Sequence, residues 1–548
     1  MMNEEKRKNR LSDMLLLLIG FAVLVFLYGT DIRRILIGTV PYEIREGACI
    51  ALVRSLARGV NPYRVLTGQD GMPGVFYMYP ILYNAIAAGL VSLTGVSELT
   101  ALLSLHFLCT LVSGILMAIL LYRRTGRAAL SIIGMAAMHF CFWRYSNVSL
   151  FPDAMAVMWM MLICFLCTGR IEAGSATDAL MGTGERISLP RIETLVLLTV
   201  LCFHTKQYAV VIALPVMVWL FCRYDIRAAI TYVISGILIG GGSILLMHIT
   251  MPDYYLETIL LVGNSADNSI HWMITQFIKM GKWFFPWFLA ILLLFTARIR
   301  AHGQKGAIRS LPGDYPAVAF IGTGVMLLYF GQNQGAHLSY YLQLWLPYVI
   351  LLAADAAEAG LKWAERERGQ NRKIPKGLRE AVITLCITAA LILPCIQFRT
   401  RLPEAEDRET WKQLYATADT GGTILSDTTL ADWALVRDLS WYDHGQNQYL
   451  FRREAQPYRE KLTSSPLLSR LFRDLPVFYQ VHEDYRDTIL QNVQNGVYDT
   501  IILTPDLGFT RDWQELYDRI DAHYYEQERF HTAVWPFAWE TVVWKKKS

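Results

Sequence analysis

Two carboxylates, Glu43 and Glu46, stand three residues apart, so on a helix they would share one face. Arg45 lies between them, and Arg54, Arg58 and the run Asn61-Pro62-Tyr63 follow. Asp153 comes after Phe151-Pro152 at the start of an apolar stretch, with Trp143-Arg144-Tyr145 just before it. Lys206 and Gln207 interrupt two apolar runs, and Gln332, Asn333, Gln334 and His337 precede another. A carboxylate can take a proton from a hydroxyl. Lys and Arg stabilise anionic oxygens, those of phosphate above all. Plainer uses compete with these. A Glu pair is often only solvated, Asp153 could serve as a helix cap, Lys206 could snorkel to headgroups, and His337 could be an ordinary interfacial histidine. The Tyr340-Tyr341 and Trp345 stripe reads better as a membrane belt than as a sugar platform. The surroundings favour function, because polar groups within apolar sequence are costly and are usually kept for a purpose.

Those surroundings are strongly apolar. The chain has 548 residues, 53% hydrophobic and only 18% charged, with a mean hydropathy of +0.29. Soluble domains carry about 25% charged residues. Disordered, collagen-like and disulfide-scaffold classes are excluded, and a wholly soluble enzyme is disfavoured. The formal charge of +4 hides a split. Residues 399–548 hold 18 Lys and Arg against 24 Asp and Glu, a net of −6, which leaves +10 for residues 1–398. This predicts a membrane module over 1–398 and a water-soluble domain over 399–548.

The membrane module divides into apolar runs near 12–30, 100–122, 127–145, 153–169, 193–206, 208–222, 228–249, 284–297, 315–331, 339–355 and 378–397. A span needs about 20 mainly apolar residues. The run Met14 to Tyr28 follows a basic start, but no small-residue cleavage site comes after it, so it reads as an uncleaved helix. Basic clusters at 123–127, 170–191, 223–227, 298–309 and 362–379 belong on one side by the positive-inside rule. The expectation is a polytopic α-helical membrane protein with about eleven spans, its N-terminus inside and its C-terminal domain outside. The run Tyr79 to Thr94 then reads as a helix at or dipping into the outer interface, within an external loop of about 31–99. On this topology Glu43, Glu46, Arg58, Asp153, Lys206 and His337 all reach one outer surface. Nine cysteines, none beyond Cys395, leave the outer domain without a disulfide framework and favour a bacterial cytoplasmic membrane. No P-loop or HExxH is present, and nothing suggests a nucleic-acid partner.

Several of these runs together resemble the GT-C glycosyltransferases, the polyprenyl-phosphate-sugar-dependent enzymes that include protein mannosyltransferases and the aminoarabinose transferase of lipid A. Glu46-Gly47, then thirteen residues, then Asn61-Pro62-Tyr63, then Tyr79-Pro80-Ile81-Leu82-Tyr83 resembles their first external loop. Phe151-Pro152-Asp153-Ala154 is similar to their Arg-Pro-Asp-Ala-Leu helix start, and Thr205-Lys206-Gln207 to their Thr-Lys-Gln. Gly335-Ala336-His337 with Tyr340-Tyr341-Leu342 and Leu346-Pro347 is similar to a late helix of the family.

The resemblance implies a GT-C fold and an inverting sugar transfer. The partners would be a polyprenyl-phosphate-sugar donor, a glycan, lipid or protein acceptor, and membrane lipids. It implies Glu46 as base, with Glu43 orienting the acceptor. Lys206, helped by Arg58, Arg45 or Arg144, would hold the donor phosphate. Asp153, Gln207, Tyr63, Tyr79, His337 and Tyr341 would contact substrate. Two positions depart from the family. Arg45 stands where an Asp is usual, and Phe151 where an Arg is usual, with Arg144 as a compensating candidate. No motif demands a resident cofactor, no acidic loop has calcium spacing, and a divalent metal is left open.

The remaining residues alternate short strands and helices. Strands are expected over 423–427 and 498–503 and a helix over 483–495 stopping at Gly496, which makes an α/β domain. Trp535 to Trp539 is either a core strand or an aromatic contact surface, and Lys545 to Lys547 suit anionic lipid. Two other readings use the same helices: a flippase for a lipid-linked glycan, and a non-catalytic envelope protein of the same fold. No internal repeat of the kind transporters carry is visible. If Glu46 is the base, Glu46→Gln abolishes sugar transfer while the protein still folds. A radiolabelled transfer assay beside a thermal melt checks this, and near-normal turnover removes Glu46 from the role.

Overall fold

In lipid, a backbone with no water to bond satisfies itself best as a helix, and helices make up the first part of the chain. A computed structural model of the protein describes residues 2–37, 46–63, 77, 79–145, 152–168, 187–261, 269–275, 277–278, 313–330, 332, 344–355, 405–419, 422–426, 442–444, 464–466, 475–505, 513–532 and 539–547, with isolated positions 292, 296 and 299. The helices are α1 (Met2–Ile37), α2 (Glu46–Ala57), α3 (Leu82–Thr94), α4 (Glu98–Thr125), α5 (Ala128–Tyr145), α6 (Asp153–Cys167), α7 (Leu189–Thr205), α8 (Ala213–Arg223) and α9 (Ile226–Thr250). They are followed by α10 (Tyr315–Phe330) and α11 (Leu344–Asp355).

Among the described residues α4 and α9 are long and apolar enough to cross a membrane. The 28 residues of α4 rise about 42 Å, beyond the roughly 30 Å hydrocarbon core. The 13 residues of α3 rise only about 20 Å. On α9 the side chains of Ile237, Leu238, Leu246 and Ile249 are exposed, a surface suited to lipid. The expected spans at 284–297 and 378–397 lie almost wholly or wholly outside the described residues, as does the expected boundary near 398, so the total of eleven stays an expectation.

One expected span has a different form. The run 208–222 begins as a tight 3-10 turn, Gln207–Ile212, before α8. Pro215 explains this. Its ring clashes with the carbonyl four residues back, so a regular α-helix cannot run through that point. Close packing elsewhere relies on a missing side chain. A Cβ on Gly134 of α5 would lie 2.0 Å from Leu121 Cδ1 of α4, so a larger residue there would require the Leu121 side chain to move.

The bundle has two chemically distinct ends. Asp153 opens α6 and Lys206 follows α7, and these two side chains meet. At the other end of the same helix pair, the Arg191 guanidinium donates to the Leu166 carbonyl, so α6 and α7 run antiparallel. Arg123 lies over the Phe165 ring, 4.4 Å from its centre, which puts the basic end of α4 at that second end. There Arg124 Nε donates to Asp355 Oδ1 at 2.9 Å and Nη1 to Asp314 Oδ1 at 3.2 Å. All three groups are largely buried.

The C-terminal part forms one five-stranded sheet in the order β2-β1-β3-β5-β4. The strands are β1 (Ile424–Ser426), β2 (Tyr442–His444), β3 (Thr500–Leu503), β4 (Tyr524–Thr532) and β5 (Trp539–Lys546). β1 runs parallel to β2 and β3, with Ile424 opposite Thr500. β5 is antiparallel to β3 and β4, with Ile501 opposite Trp544. Leu425, Ile501, Ile489, Leu516 and Val542 form the core between sheet and helices. The expected helix over 483–495 starts earlier, at Leu475, and ends at Gln494. Gly496 stops the chain with φ +62, a conformation that suits glycine. Sequence reading missed β2, β4 and the length of β5. β4 reads Tyr-Tyr-Glu-Gln-Glu-Arg-Phe-His-Thr, with too many charges to look like a strand, because it lies at the exposed edge. Trp539 opens β5, while 535–538 lie outside the described residues.

Arg124→Ala strands two buried carboxylates. Unfolding in detergent should show a loss of about 3–5 kcal/mol. Adding Asp314→Asn and Asp355→Asn should recover part of that loss.

Candidate functional site

The site begins where α6 starts. Pro152 occupies the cap position and offers no side-chain bond to the helix. Asp153 is the first helical residue, where the positive end of the helix favours an anion. It is not spent on capping. Its Oδ2 accepts from Lys206 Nζ at 2.5 Å and its Oδ1 from the Tyr208 hydroxyl at 2.8 Å. Both Asp153 and Lys206 are buried, at 1% and 4% exposure. Lys206 therefore does not snorkel towards headgroups.

Lys206 owes its place to the break after α7. Its backbone is extended, with φ −151 and ψ 118, so its side chain leaves the helix line and turns to α6. Its ammonium lies 5.0 Å from the centre of the Tyr79 ring and 4.9 Å from that of Tyr208. Both are within the roughly 6 Å range of cation–π attraction. Thr205, just before it, receives the Trp159 indole N–H of α6 at 3.1 Å.

Tyr79 is held by the segment after α2. The Tyr63 hydroxyl donates to the Tyr79 carbonyl at 2.7 Å, and the Tyr63 N–H bonds the Asn61 side chain at 3.0 Å. The Asn-Pro-Tyr run is thus an Asx turn that aims a tyrosine. The Tyr63 ring packs edge-on against Tyr254, centres 4.8 Å apart, and the Tyr254 hydroxyl accepts the Ile81 N–H at 3.3 Å. Gln207 Nε2 donates to the Thr258 carbonyl at 3.0 Å. Glu257 Oε2 accepts the Tyr77 N–H at 2.8 Å.

Of the residues singled out in the sequence, the fold brings together Tyr63, Tyr79, Asp153, Lys206 and Gln207. Arg58 stands exposed just after α2. Glu46 is the first residue of α2 and Arg144 lies in α5, but their side chains are outside what is described. Glu43, Arg45, His337 and Tyr341 lie outside the described residues. Sequence reading missed Tyr208, Tyr254 and Glu257. The signal was present: Tyr208 adjoins Lys206-Gln207, and Asp253-Tyr254-Tyr255-Leu256-Glu257 is a polar and aromatic break right after an apolar helix. Among the described residues no three His, Cys, Asp or Glu side chains gather to hold a metal ion.

An ammonium fixed in this way, in apolar surroundings and flanked by aromatic faces, is a preorganised partner for an anion. No family model matches the chain, and no curated protein does. Solved structures do match. The Archaeoglobus fulgidus oligosaccharyltransferase in its apo form is 9% identical, covers 90% of this chain and 70% of its own, and has a TM-score of 0.52. The same enzyme, AglB, with an inhibitory peptide and a dolichol-phosphate is 10% identical over 96% of this chain and 74% of its own, with a TM-score of 0.50. Cupriavidus metallidurans ArnT bound to undecaprenyl phosphate is 15% identical over 96% of this chain and 97% of its own, with a TM-score of 0.48. The chain shares the overall fold of the archaeal oligosaccharyltransferase.

Lys206→Met leaves the Asp153 carboxylate buried without its cation, at a cost of about 3–5 kcal/mol. The double variant Lys206→Met with Asp153→Asn should be more stable than the single. Thermal unfolding in detergent decides this, and equal losses would contradict a mutually dependent pair.

Proposed function

We propose that the protein is an integral membrane glycosyltransferase that moves a sugar from a polyprenyl-phosphate donor to an acceptor outside the cytoplasmic membrane, with inversion. The acceptor is a cell-envelope glycan, lipid or protein. The observation that carries this reading is the buried Lys206–Asp153 pair, walled by Tyr79 and Tyr208, at the point where the external-loop, Pro-Asp and Thr-Lys-Gln motifs converge. The shared fold supports it, since the archaeal oligosaccharyltransferase was captured with a dolichol-phosphate.

In this reading the donor lipid lies in the bilayer and its phosphate approaches Lys206. Arg58, Arg45 and Arg144 add positive charge around the phosphate oxygens. Asp153 and Tyr208 hold the ammonium in place. Glu46 takes the proton from the acceptor hydroxyl as its oxygen attacks the anomeric carbon, and Glu43 orients that acceptor. The bond to the lipid phosphate breaks on the opposite face of the sugar. The phosphate leaves as an anion, so it needs cations and no general acid. Gln207, Tyr63, Tyr79, His337 and Tyr341 contact the sugar or acceptor. The site and the domain after residue 398 face outwards and the N-terminus faces in, in a bacterial cytoplasmic membrane.

Purified protein given radiolabelled lipid-linked sugars separates the readings. Transfer to an acceptor supports the enzyme. Movement across vesicles without transfer means a flippase, and neither activity means an accessory protein. Within the enzyme reading, Lys206→Ala should raise the donor KM well above the wild-type value, and unchanged donor kinetics would take Lys206 out of the phosphate site.

A further inference from the structure

Glu257 carries no role in the mechanism above, yet it is fully buried at 0% exposure. It sits in a short π-helical turn, Leu256–Leu261, that follows α9. Such turns are rare and often mark functional places. Pro252 ends the preceding helix, and the turn is braced internally. Its Glu257 N–H bonds the Asp253 carbonyl at 2.9 Å, and the Thr258 hydroxyl bonds the Tyr254 carbonyl at 2.7 Å.

From this brace three residues reach outwards. Glu257 Oε2 takes the Tyr77 N–H, the Tyr254 hydroxyl takes the Ile81 N–H, and the Thr258 carbonyl takes the Gln207 side chain. Tyr77, Tyr79, Pro80 and Ile81 are in neither helix nor strand, so the N–H groups of Tyr77 and Ile81 need acceptors outside a regular ladder. Tyr79 lies between them. It is pinned on one side by Glu257, on the other by Tyr254, and at its own carbonyl by Tyr63. Its ring is the wall over Lys206.

We infer that Glu257 is a positioning residue: by accepting the Tyr77 N–H it clasps the external loop to the end of α9 and so sets Tyr79 over Lys206, fixing the site that takes the lipid phosphate. The part about lipid phosphate rests on the proposed function; the clasp itself does not. The geometry asks Glu257 for an acceptor oxygen at this reach. Gln supplies one, Ala supplies none, and Asp falls one methylene short.

The test uses the full-length protein in detergent with two readouts. Hydrogen exchange over the peptide containing Tyr77 reads the clasp. Binding of undecaprenyl phosphate reads its consequence. Glu257→Ala should lose protection at Tyr77 and weaken binding about tenfold, the scale of one buried hydrogen bond left unmade. Glu257→Gln should keep both near the wild-type values. If Glu257→Ala fails to fold, Glu257→Asp takes its place with the same expectation. Wild-type protection at Tyr77 in the Ala or Asp variant overturns the clasp. A Gln variant as impaired as the Ala variant overturns it too, because charge and not acceptance would then be at work. Lost protection with unchanged binding overturns the link to Lys206. If wild-type protein fails to bind undecaprenyl phosphate at all, the lipid-phosphate part of the inference falls with the proposed function, while the exchange result still decides the clasp.

Discussion

An ammonium inside an apolar bundle survives only with an anion beside it. The Lys206–Asp153 contact is that condition here, and the surrounding architecture serves it. Removing either partner leaves a charge in a place where it is very costly. Two local breaks make the contact. α6 begins at Pro152-Asp153 without a side-chain cap, so the carboxylate is available to a neighbour. α7 ends into an extended Lys206, so the ammonium points across to α6 instead of continuing down the helix. The 3-10 turn that Pro215 enforces keeps the chain close afterwards and delivers Tyr208 to the second carboxylate oxygen.

Irregular backbone at membrane depth is tolerated only when protein satisfies its polar groups. Tyr77, Tyr79 and Ile81 are held by side chains from two segments, Tyr63 after α2 and the Tyr254–Glu257 brace after α9. The aromatic wall over Lys206 and the polar clasp beneath it are therefore one assembly. A loose loop would leave buried N–H groups unpaired and would also take Tyr79 away from the ammonium. At the far end of the bundle, Arg124 with Asp314 and Asp355 shows the same economy of charge and ties three helix ends together.

The helices were legible because lipid-facing and core-facing residues are both apolar, so length and the basic clusters set most of the boundaries. The convergence of Tyr63, Tyr79, Asp153, Lys206 and Gln207 was legible for another reason: each is a polar or aromatic residue at a break in apolar sequence. Glu257 was passed over although Pro252-Asp253-Tyr254-Tyr255 breaks the apolar sequence just before it, because nothing in that break shows which backbone N–H the carboxylate would meet. Tyr208 was overlooked because one more tyrosine beside a membrane interface looks ordinary. β4 hid its strand character behind the charges its exposed edge needs. The Lys206–Asp153 distance itself could not be read at all, since it depends on how α7 packs on α6.

The pairing also limits how strongly the site can hold an anion. A lone buried ammonium would bind phosphate tightly but would be ruinous when empty. Neutralised by Asp153, the pair is stable without ligand. Asp153 takes one of the three N–H groups of the ammonium. An arriving phosphate would share the cation with a resident carboxylate and gain less than it would from a free lysine. In the proposed reading, where a lipid phosphate must leave after each transfer, that moderation would be useful, because a site complementary to the spent carrier would slow turnover. The aromatic faces of Tyr79 and Tyr208 keep the ammonium centred without adding an acceptor that would compete for its protons. A carboxylate to hold the cation and two rings to confine it together give a site that is charged when needed and stable when empty.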